Sequence, residues 1–536
     1  MQSIIDNLLS VYRNGFAVRQ LLVIMLIFAI GYIMCQLLLD TPGGIKGLSS
    51  KVFKVALSFP MGIALFAFAG YIVLVCGVRY TIISVITCVI LLSASLIILV
   101  CYKNKKNLAG IISFKEMIIA LLLVLILGAV SVSGFIQMSV SNDSLYYFWQ
   151  YPRAIVSYGG LRDQFDNFLT DTGLGAAVIG TLPFLFGFGE TFGIQTFFHM
   201  SFLLFFGSAV YETITSELIV TKEEVVGGSR RKLSKELIIA VLATVFMGVC
   251  TPAYILSHWA MANMYFMDYY FIALYLIYLF GKDHKPDSGK LIIFAFVVFA
   301  CASVRMEGAI FILLLVLMGS TKISSSRWLA GALVPIVIMQ SIYELKLYLS
   351  YVIDNPYTFM TVRKAIIQFV AYVVVMVYLV FMRDLITKKL KGNVAPWLII
   401  GLLMINGVLL VMDRGLYIAN IRAFIGNLTG QSGWGILPHI SVGAFFLLIY
   451  FECILYRRNG RIKELLVNGG RIQIYWLYNM LSFVLVTIAV SFERGDPLEV
   501  VTGDSGNRVL LQVAPIVVMM FIVWFADILN QEESDS

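Results

Sequence analysis

The chain has 536 residues, 60% of them hydrophobic and only 13% charged, with a formal net charge of +8 and a mean hydropathy of +0.90. So few charges could not cover the surface of a soluble protein of this size, and composition excludes a soluble globular enzyme. The basic excess implies no nucleic-acid partner, because its placement along the chain accounts for it.

In chain order, apolar runs long enough to cross a bilayer recur from end to end, a span needing roughly 17 to 25 residues. The clearest are Gln20–Leu39, Val55–Cys76, Thr81–Cys101, Met117–Gln137, Leu237–Ala253, Trp328–Ser350, Ile367–Phe381 and Val509–Trp524. The pattern predicts an all-α polytopic membrane protein. The first run is longer than the apolar core of a signal peptide and lacks a small-residue cleavage site, so no cleavable leader is expected. All 7 cysteines lie in or at the ends of apolar runs without paired spacing; they read as small core residues, with neither a disulfide framework nor a zinc site.

Basic residues cluster in alternate loops: Lys103/Lys105/Lys106, Lys222 to Lys235, Lys282/Lys285/Lys290, Arg383 to Lys391, and Arg457 to Arg471. The positive-inside rule makes these cytoplasmic. Residues 138–172, the stretch around Ala253–Asp268 and the loops at 350–363, 413–435 and 492–508 then fall outside, together with most remaining carboxylates. Residues 173–216 must cross an odd number of times, so Gly173–Gly189 is expected to lie at the interface or re-enter before one full span. Residues 291–318 lie between two basic loops. They are expected to form two short helices meeting at Ala302-Ser-Val-Arg305-Met-Glu307-Gly308, with Arg305 and Glu307 at an outward apex; one long helix carrying an Arg–Glu contact is the alternative. Three regions follow: N-terminal helices over 1–114, a central region over 115–349 containing the outer loop 138–172, and a C-terminal region over 350–536.

The outer loop is the most informative stretch. It runs Asp143-Ser-Leu-Tyr146-Tyr147-Phe-Trp149-Gln-Tyr151-Pro152-Arg153, then Gly159-Gly160-Leu-Arg162-Asp163 to Asp166 and Asp171. A carboxylate beside a spanning helix costs a few kcal/mol unless used or paired, and so marks a functional site. Asp163 and Asp166 would share one face of a helix and are candidate ligands for an acceptor or a divalent cation, with a solvated loop as the plainer reading. Tyr146 and Tyr147 suit sugar stacking, or an aromatic belt at the interface. Asp268, one turn inside an apolar helix, calls for a pairing partner, with an arginine expected. His199, inside another apolar run, reads as a satisfied core residue.

In order and spacing these elements resemble bacterial GT-C integral membrane glycosyltransferases, the group of lipid A arabinose transferases, protein mannosyltransferases and Rgt-type sugar transferases. The resemblance covers residues 115–525. It rests on Asp143-Ser-Leu-Tyr146-Tyr147, on Tyr158-Gly159-Gly160-Leu, on Pro183-Phe-Leu-Phe-Gly187 and on Met261–Asp268–Leu274. Ser303-Val-Arg305-Met-Glu307-Gly308 and Asp504-Ser-Gly-Asn507-Arg508 through Pro515 complete it. Tyr147 stands where the family often has histidine, and Arg305 where it has lysine. The resemblance implies a bundle of about 13 to 15 transmembrane helices with an amphipathic first outer loop. It also implies inverting transfer of a sugar from a polyprenyl-phosphate donor to a glycan, lipid or protein acceptor, at the outer face of a bacterial plasma membrane.

Asp143 is then the candidate catalytic base, with a helix N-cap as its structural alternative. Arg305 and Arg508 are the candidate phosphate clamps, with interfacial anchoring the alternative at Arg508. Asp268 and Glu307 join them in the substrate site, Glu307 orienting Arg305. No cofactor is required beyond a candidate divalent cation. A transporter or flippase would show matched inverted halves, which are not visible. A ligase or polymerase of lipid-linked glycans would show one very large late outer loop. No nucleotide-binding fingerprint is present.

Overall fold

The computed structural model describes residues 16–39, 48–104, 114–133, 149–161, 173–187, 193–218, 235–249, 262–281, 287–320, 322–323, 325–350, 361–389, 394–428, 472–494 and 511–523. Among them 92% are helical and none is in a strand. Nine of these helices are long and apolar enough to cross a membrane, and six apolar helices are shorter. In hydrocarbon every backbone amide must be satisfied within its own segment, which is why long apolar runs resolve into helices. The chain is an all-α polytopic membrane protein.

The chain divides into two compact units, Met1–Phe205 with Ile255–Leu313 and Ile323–Val380, and Phe206–Tyr254 with Leu314–Lys322 and Phe381–Ser536. The first opens with α1 (Phe16–Leu38), α2 (Leu48–Val75), α3 (Ile82–Asn104) and α4 (Phe114–Ser133). Then come the amphipathic α5 (Tyr151–Tyr158) and the short apolar α6 (Leu174–Gly180) and α7 (Leu182–Leu185). The full-length α8 (Gly193–Leu218) follows, its part beyond Phe205 belonging to the second unit. The rest of this unit includes α10 (Ala262–Gly281), α11 (Ser288–Val304), α13 (Ser326–Ser350) and α14 (Val362–Val377), the last continuing into a π turn at Tyr378–Met382.

Side-chain pairing fixes the helix directions. α1 and α2 run antiparallel at backbone contact: a Cβ on Gly31 would lie 1.8 Å from the Ser58 carbonyl oxygen, and one on Gly62 2.2 Å from that of Ile27. α11 runs parallel to α2, Phe68 packing on Phe296 and Phe299 with ring centres 5.2 and 4.8 Å apart, and Tyr71 on Phe299 at 5.4 Å. α10 runs antiparallel to α11, the Cys301 thiol lying 3.8 Å from the Phe266 carbonyl while Phe280 and Phe294 both pack on Trp328. α13 starts beside Asp287, whose carbonyl accepts from Trp328 Nε1 at 3.2 Å. It reaches Leu74 at its far end, where Lys346 Nζ donates to the carbonyl at 3.0 Å. One end of the unit therefore collects the C-termini of α2, α11 and α13 with the N-terminus of α10. The other collects the C-termini of α1 and α10 with the basic start of α11 at Lys290.

Burial is uneven. Of the α10 span 94% is buried within the protein, against 11% of α3; α10 forms the core, whereas Ile83, Ile90, Leu91, Ile98 and Leu99 of α3 are left to lipid. In the second unit, α9 (Lys235–Val249), α12 (Gly308–Gly319, begun in the first unit), α15 (Arg383–Lys389), α16 (Ala395–Met412), α17 (Arg414–Leu428) and α18 (Ile472–Arg494) precede a last apolar helix, Ala514–Val523. Its core joins Met318, Ala395 and Ile399 to Tyr478, Leu481 and Leu485. Asn406 Nδ2 donates to the Leu485 carbonyl at 3.2 Å, and Arg383 donates to the Ser320 carbonyl at 2.9 Å.

Candidate functional site

The chain breaks at Arg305–Glu307, between α11 and α12. The two-helix reading of 291–318 is thus observed and the single long helix is not. Arg305 adopts an extended backbone at the end of α11, φ −130° and ψ 148°, and the turn closes with Gly308 N–H donating to the Arg305 carbonyl at 3.0 Å. A Cβ on Gly308 would lie 2.7 Å from the Ala302 carbonyl oxygen, so the return of the chain needs glycine there.

The turn fixes Arg305. Its guanidinium donates to Asn263 Oδ1 at the start of α10 and pairs with the Glu307 carboxylate. The Arg305 side chain keeps 15% of its surface exposed and that of Glu307 only 6%, so Glu307 is the more buried member of the pair. Two further glycines press α6 against this corner. A Cβ on Gly173 (φ 81°) would lie 2.6 Å from the Ser303 carbonyl oxygen, and one on Gly175 2.2 Å from Ser303 Oγ. Gly173 thus combines a left-handed φ with backbone contact, two demands only glycine meets.

Asp268 corrects one expectation. It pairs with His199, not with an arginine: His199 Nδ1 lies 3.2 Å from Asp268 Oδ2, and both residues are buried, at 2% and 0% exposure. The reason is depth. Asp268 lies five residues beyond Asn263, about 7.5 Å further along the helix at 1.5 Å per residue. Arg305 is taken up by Asn263 and Glu307 at the end of the bundle. α8, running alongside α10 with Phe198 packed on Tyr265 and Tyr269, brings His199 to the deeper level. His199 is therefore a core histidine satisfied at Nδ1; among the described residues neither its Nε2 nor Asp268 Oδ1 has a hydrogen-bond partner. A sequence signal was present: two isolated ionisable residues in apolar runs must find partners, and each was the other's simplest one.

The same end of the first unit carries residues the sequence did not single out. In the turn between α2 and α3, Tyr80 N–H donates to the Gly159 carbonyl at 2.8 Å, and the Tyr80 and Thr181 hydroxyls lie 2.7 Å apart. Burial pushes the Tyr80 phenol up, partly offset by the Thr181 hydrogen bond. The exposed Arg79 lies along Gly159, its Cγ 3.0 Å from where a Cβ would be. α5 buries Tyr151, Pro152 and Ile155 and exposes Arg153 and Tyr158, as an amphipathic interfacial segment should.

Asp143, Tyr146, Tyr147, Asp163, Asp166 and Arg508 lie outside the described residues. Among the described residues no three His, Cys, Asp or Glu side chains gather as a metal site. The structure thus joins Arg305 to Glu307, adds Asn263, and sets Asp268 apart with His199. No protein-family model, curated protein or solved structure matches the chain.

Proposed function

We propose that this protein is an inverting glycosyltransferase that moves a sugar from a polyprenyl-phosphate donor to a cell-envelope acceptor at the outer face of a bacterial plasma membrane. The observation that carries this reading is the oriented Arg305. A guanidinium fixed by an amide and a carboxylate, at a break between two apolar helices, is suited to grip a phosphate at headgroup depth. The order of the Asp143, Arg305 and Arg508 elements, which resembles the GT-C pattern, supports the same reading.

In the proposed step, the acceptor oxygen forms a bond to the anomeric carbon as the bond from that carbon to the phosphate oxygen breaks. The acceptor proton passes to the Asp143 carboxylate. The bonding pair leaves with the polyprenyl phosphate, whose added charge is met by Arg305 and Arg508. Glu307 and Asn263 hold the Arg305 plane, so no reorganisation is needed as that charge builds. Asp163 and Asp166 are the positions at which a divalent cation would bind.

A lipid-linked substrate transporter is the second reading. It is favoured by the buried His199–Asp268 pair between two spans, since intramembrane His and Asp residues also serve proton relays. Mass spectrometry of lipid-linked sugars and surface glycans, with and without the gene, tests both. The transferase reading expects a polyprenyl-phosphate sugar to accumulate and one glycan decoration to vanish, and expects purified protein in detergent to restore transfer. Restoration only across sealed vesicles, with no transfer in detergent, would support the transporter instead.

A further inference from the structure

The turn between α2 and α3 presents an arginine that the step above does not use. Arg79 is exposed and forms no ion pair among the described residues. Its backbone is fixed on both sides. Gly77 N–H donates to the Leu74 carbonyl at 3.1 Å and Val78 N–H to that of Val73 at 3.0 Å, closing α2. Ser84 Oγ donates to the Arg79 carbonyl at 2.8 Å, and Tyr80 N–H to the Gly159 carbonyl at 2.8 Å. The side chain is seated as well: Arg79 Cγ and Nε lie 3.0 and 3.4 Å from where a Cβ on Gly159 would be, so the glycine leaves room for the stem. Around this seat the turn is open, since a Cβ on Gly77 or Gly160 would meet nothing within 4 Å.

What meets the guanidinium follows from α3. Its span Ile82–Leu99 has 18 residues, about 27 Å of helix against a hydrocarbon thickness of about 30 Å. Only 11% of that span is buried within the protein. Ile83, Ile90 and Leu91 share one face of it and are all exposed, which gives an apolar stripe open to acyl chains. Arg79 stands three residues before the span, so the guanidinium lies at headgroup level where the stripe begins. Tyr158, exposed beside Gly159, adds an aromatic ring of the kind that favours this level. Charge selects the occupant: a seated guanidinium without a carboxylate calls for an anion, and a phosphodiester offers two oxygens to its planar fork.

We infer that Arg79 and the exposed face of α3 bind a membrane phospholipid, the guanidinium holding the headgroup phosphate while the acyl chains lie along Ile83, Ile90 and Leu91. This does not depend on the transferase reading. Tyr80, next to Arg79, joins Gly159 to Thr181, and α6 runs from Thr181 back to Gly173 against Ser303. The lipid therefore braces the end of the unit that carries Arg305.

The test uses the full chain purified in detergent. Native mass spectrometry measures binding of dioleoyl phosphatidylglycerol and of dioleoyl glucosyl diacylglycerol, which carries the same chains without phosphate. The wild type should hold one phosphatidylglycerol about 10-fold more tightly than the glucolipid, and should melt at a higher temperature with it. Arg79→Gln should remove both effects; Arg79→Lys, which keeps the charge without the fork, should keep part of each. Arg153→Gln, which removes another exposed arginine at this end, should leave both unchanged. No preference in the wild type, or a full preference in Arg79→Gln, would remove the site. Equal losses in Arg79→Gln and Arg153→Gln would replace it with diffuse surface charge. Displacement of phosphatidylglycerol by an equimolar amount of undecaprenyl phosphate would assign the arginine to a polyprenyl phosphate and overturn the phospholipid, as would a dimer of the chain that forms only when the lipid is removed and binds none.

Discussion

The phenol of Tyr269 donates to the backbone carbonyl of Pro60, 2.8 Å away and 209 residues earlier in the chain. Pro60 lies inside α2, and a helical carbonyl has a second lone pair that a phenol on a neighbouring helix can use. Tyr269→Phe keeps the ring and removes only the donor. It is expected to lower stability in detergent by about 0.6 kcal/mol, the usual worth of one interhelical hydrogen bond in a membrane. A denaturation curve unchanged within error would show that the carbonyl is satisfied within its own helix.

Orientation can be read from a native residue. Cys76 is exposed and precedes Arg79 and Tyr80 at the end of the first unit that also holds Arg305. In intact cells it should react with a membrane-impermeant maleimide, and Asp163→Cys should react likewise. Lys232→Cys, placed in a Cys76→Ser background, should stay unlabelled until the membrane is opened. The reverse pattern would invert the chain and move the arginine site to the cytoplasm.

Gly175→Ala probes the corner that supports Arg305 without touching any charged group. The added methyl would meet Ser303 Oγ at 2.2 Å and the Ser303 backbone carbon at 2.7 Å, so α6 and α11 must separate. A loss of about 1 to 3 kcal/mol is expected for such overpacking. Transfer should fall along with it, because the turn carrying Arg305 follows directly. A variant with wild-type melting and turnover would show that the two helices are not tightly apposed in the membrane.

Asp143→Asn is nearly isosteric and caps a helix about as well as aspartate, but cannot take a proton. If Asp143 is the base, turnover should fall by roughly 10² to 10⁴ with unchanged insertion. Near-normal turnover would make it a cap.

Arg508→Lys separates clamping from anchoring. Lysine keeps the charge and can still extend to the interface, but lacks the planar fork that holds two oxygens. A substantial drop in turnover with normal membrane yield is expected, matched by Arg305→Lys. Full activity in both variants would remove the phosphate clamp from the mechanism.

The helical class and most spans were legible because hydrocarbon imposes one rule on every backbone amide, and apolar run length reports it directly. At Arg305–Glu307 the flanking charges left two short helices and one long helix both open, and the structure separates them. Partnership was harder to read. Asp268 was expected to seek an arginine because charge complementarity is all a sequence displays. The outcome was decided by helix direction and depth, which place α8 beside α10 and leave Arg305 above. Arg79 and Tyr80 escaped notice because nothing in their own turn foretells that Gly159 packs against it.

The apposition of Gly31 and Gly62 bears on how the molecule is made. Because no side chain separates α1 from α2, their association draws on close van der Waals contact that lipid cannot offer either helix alone. These are also the first described helices to leave the ribosome, and with one short connection between them they can pair before the remainder is synthesised. The hairpin would then act as a template in biogenesis, onto which α10, α11 and α13 dock in turn. An enlarged residue at either glycine should accordingly show itself as degradation of nascent chains by membrane quality control, before any assay of the finished protein is reached.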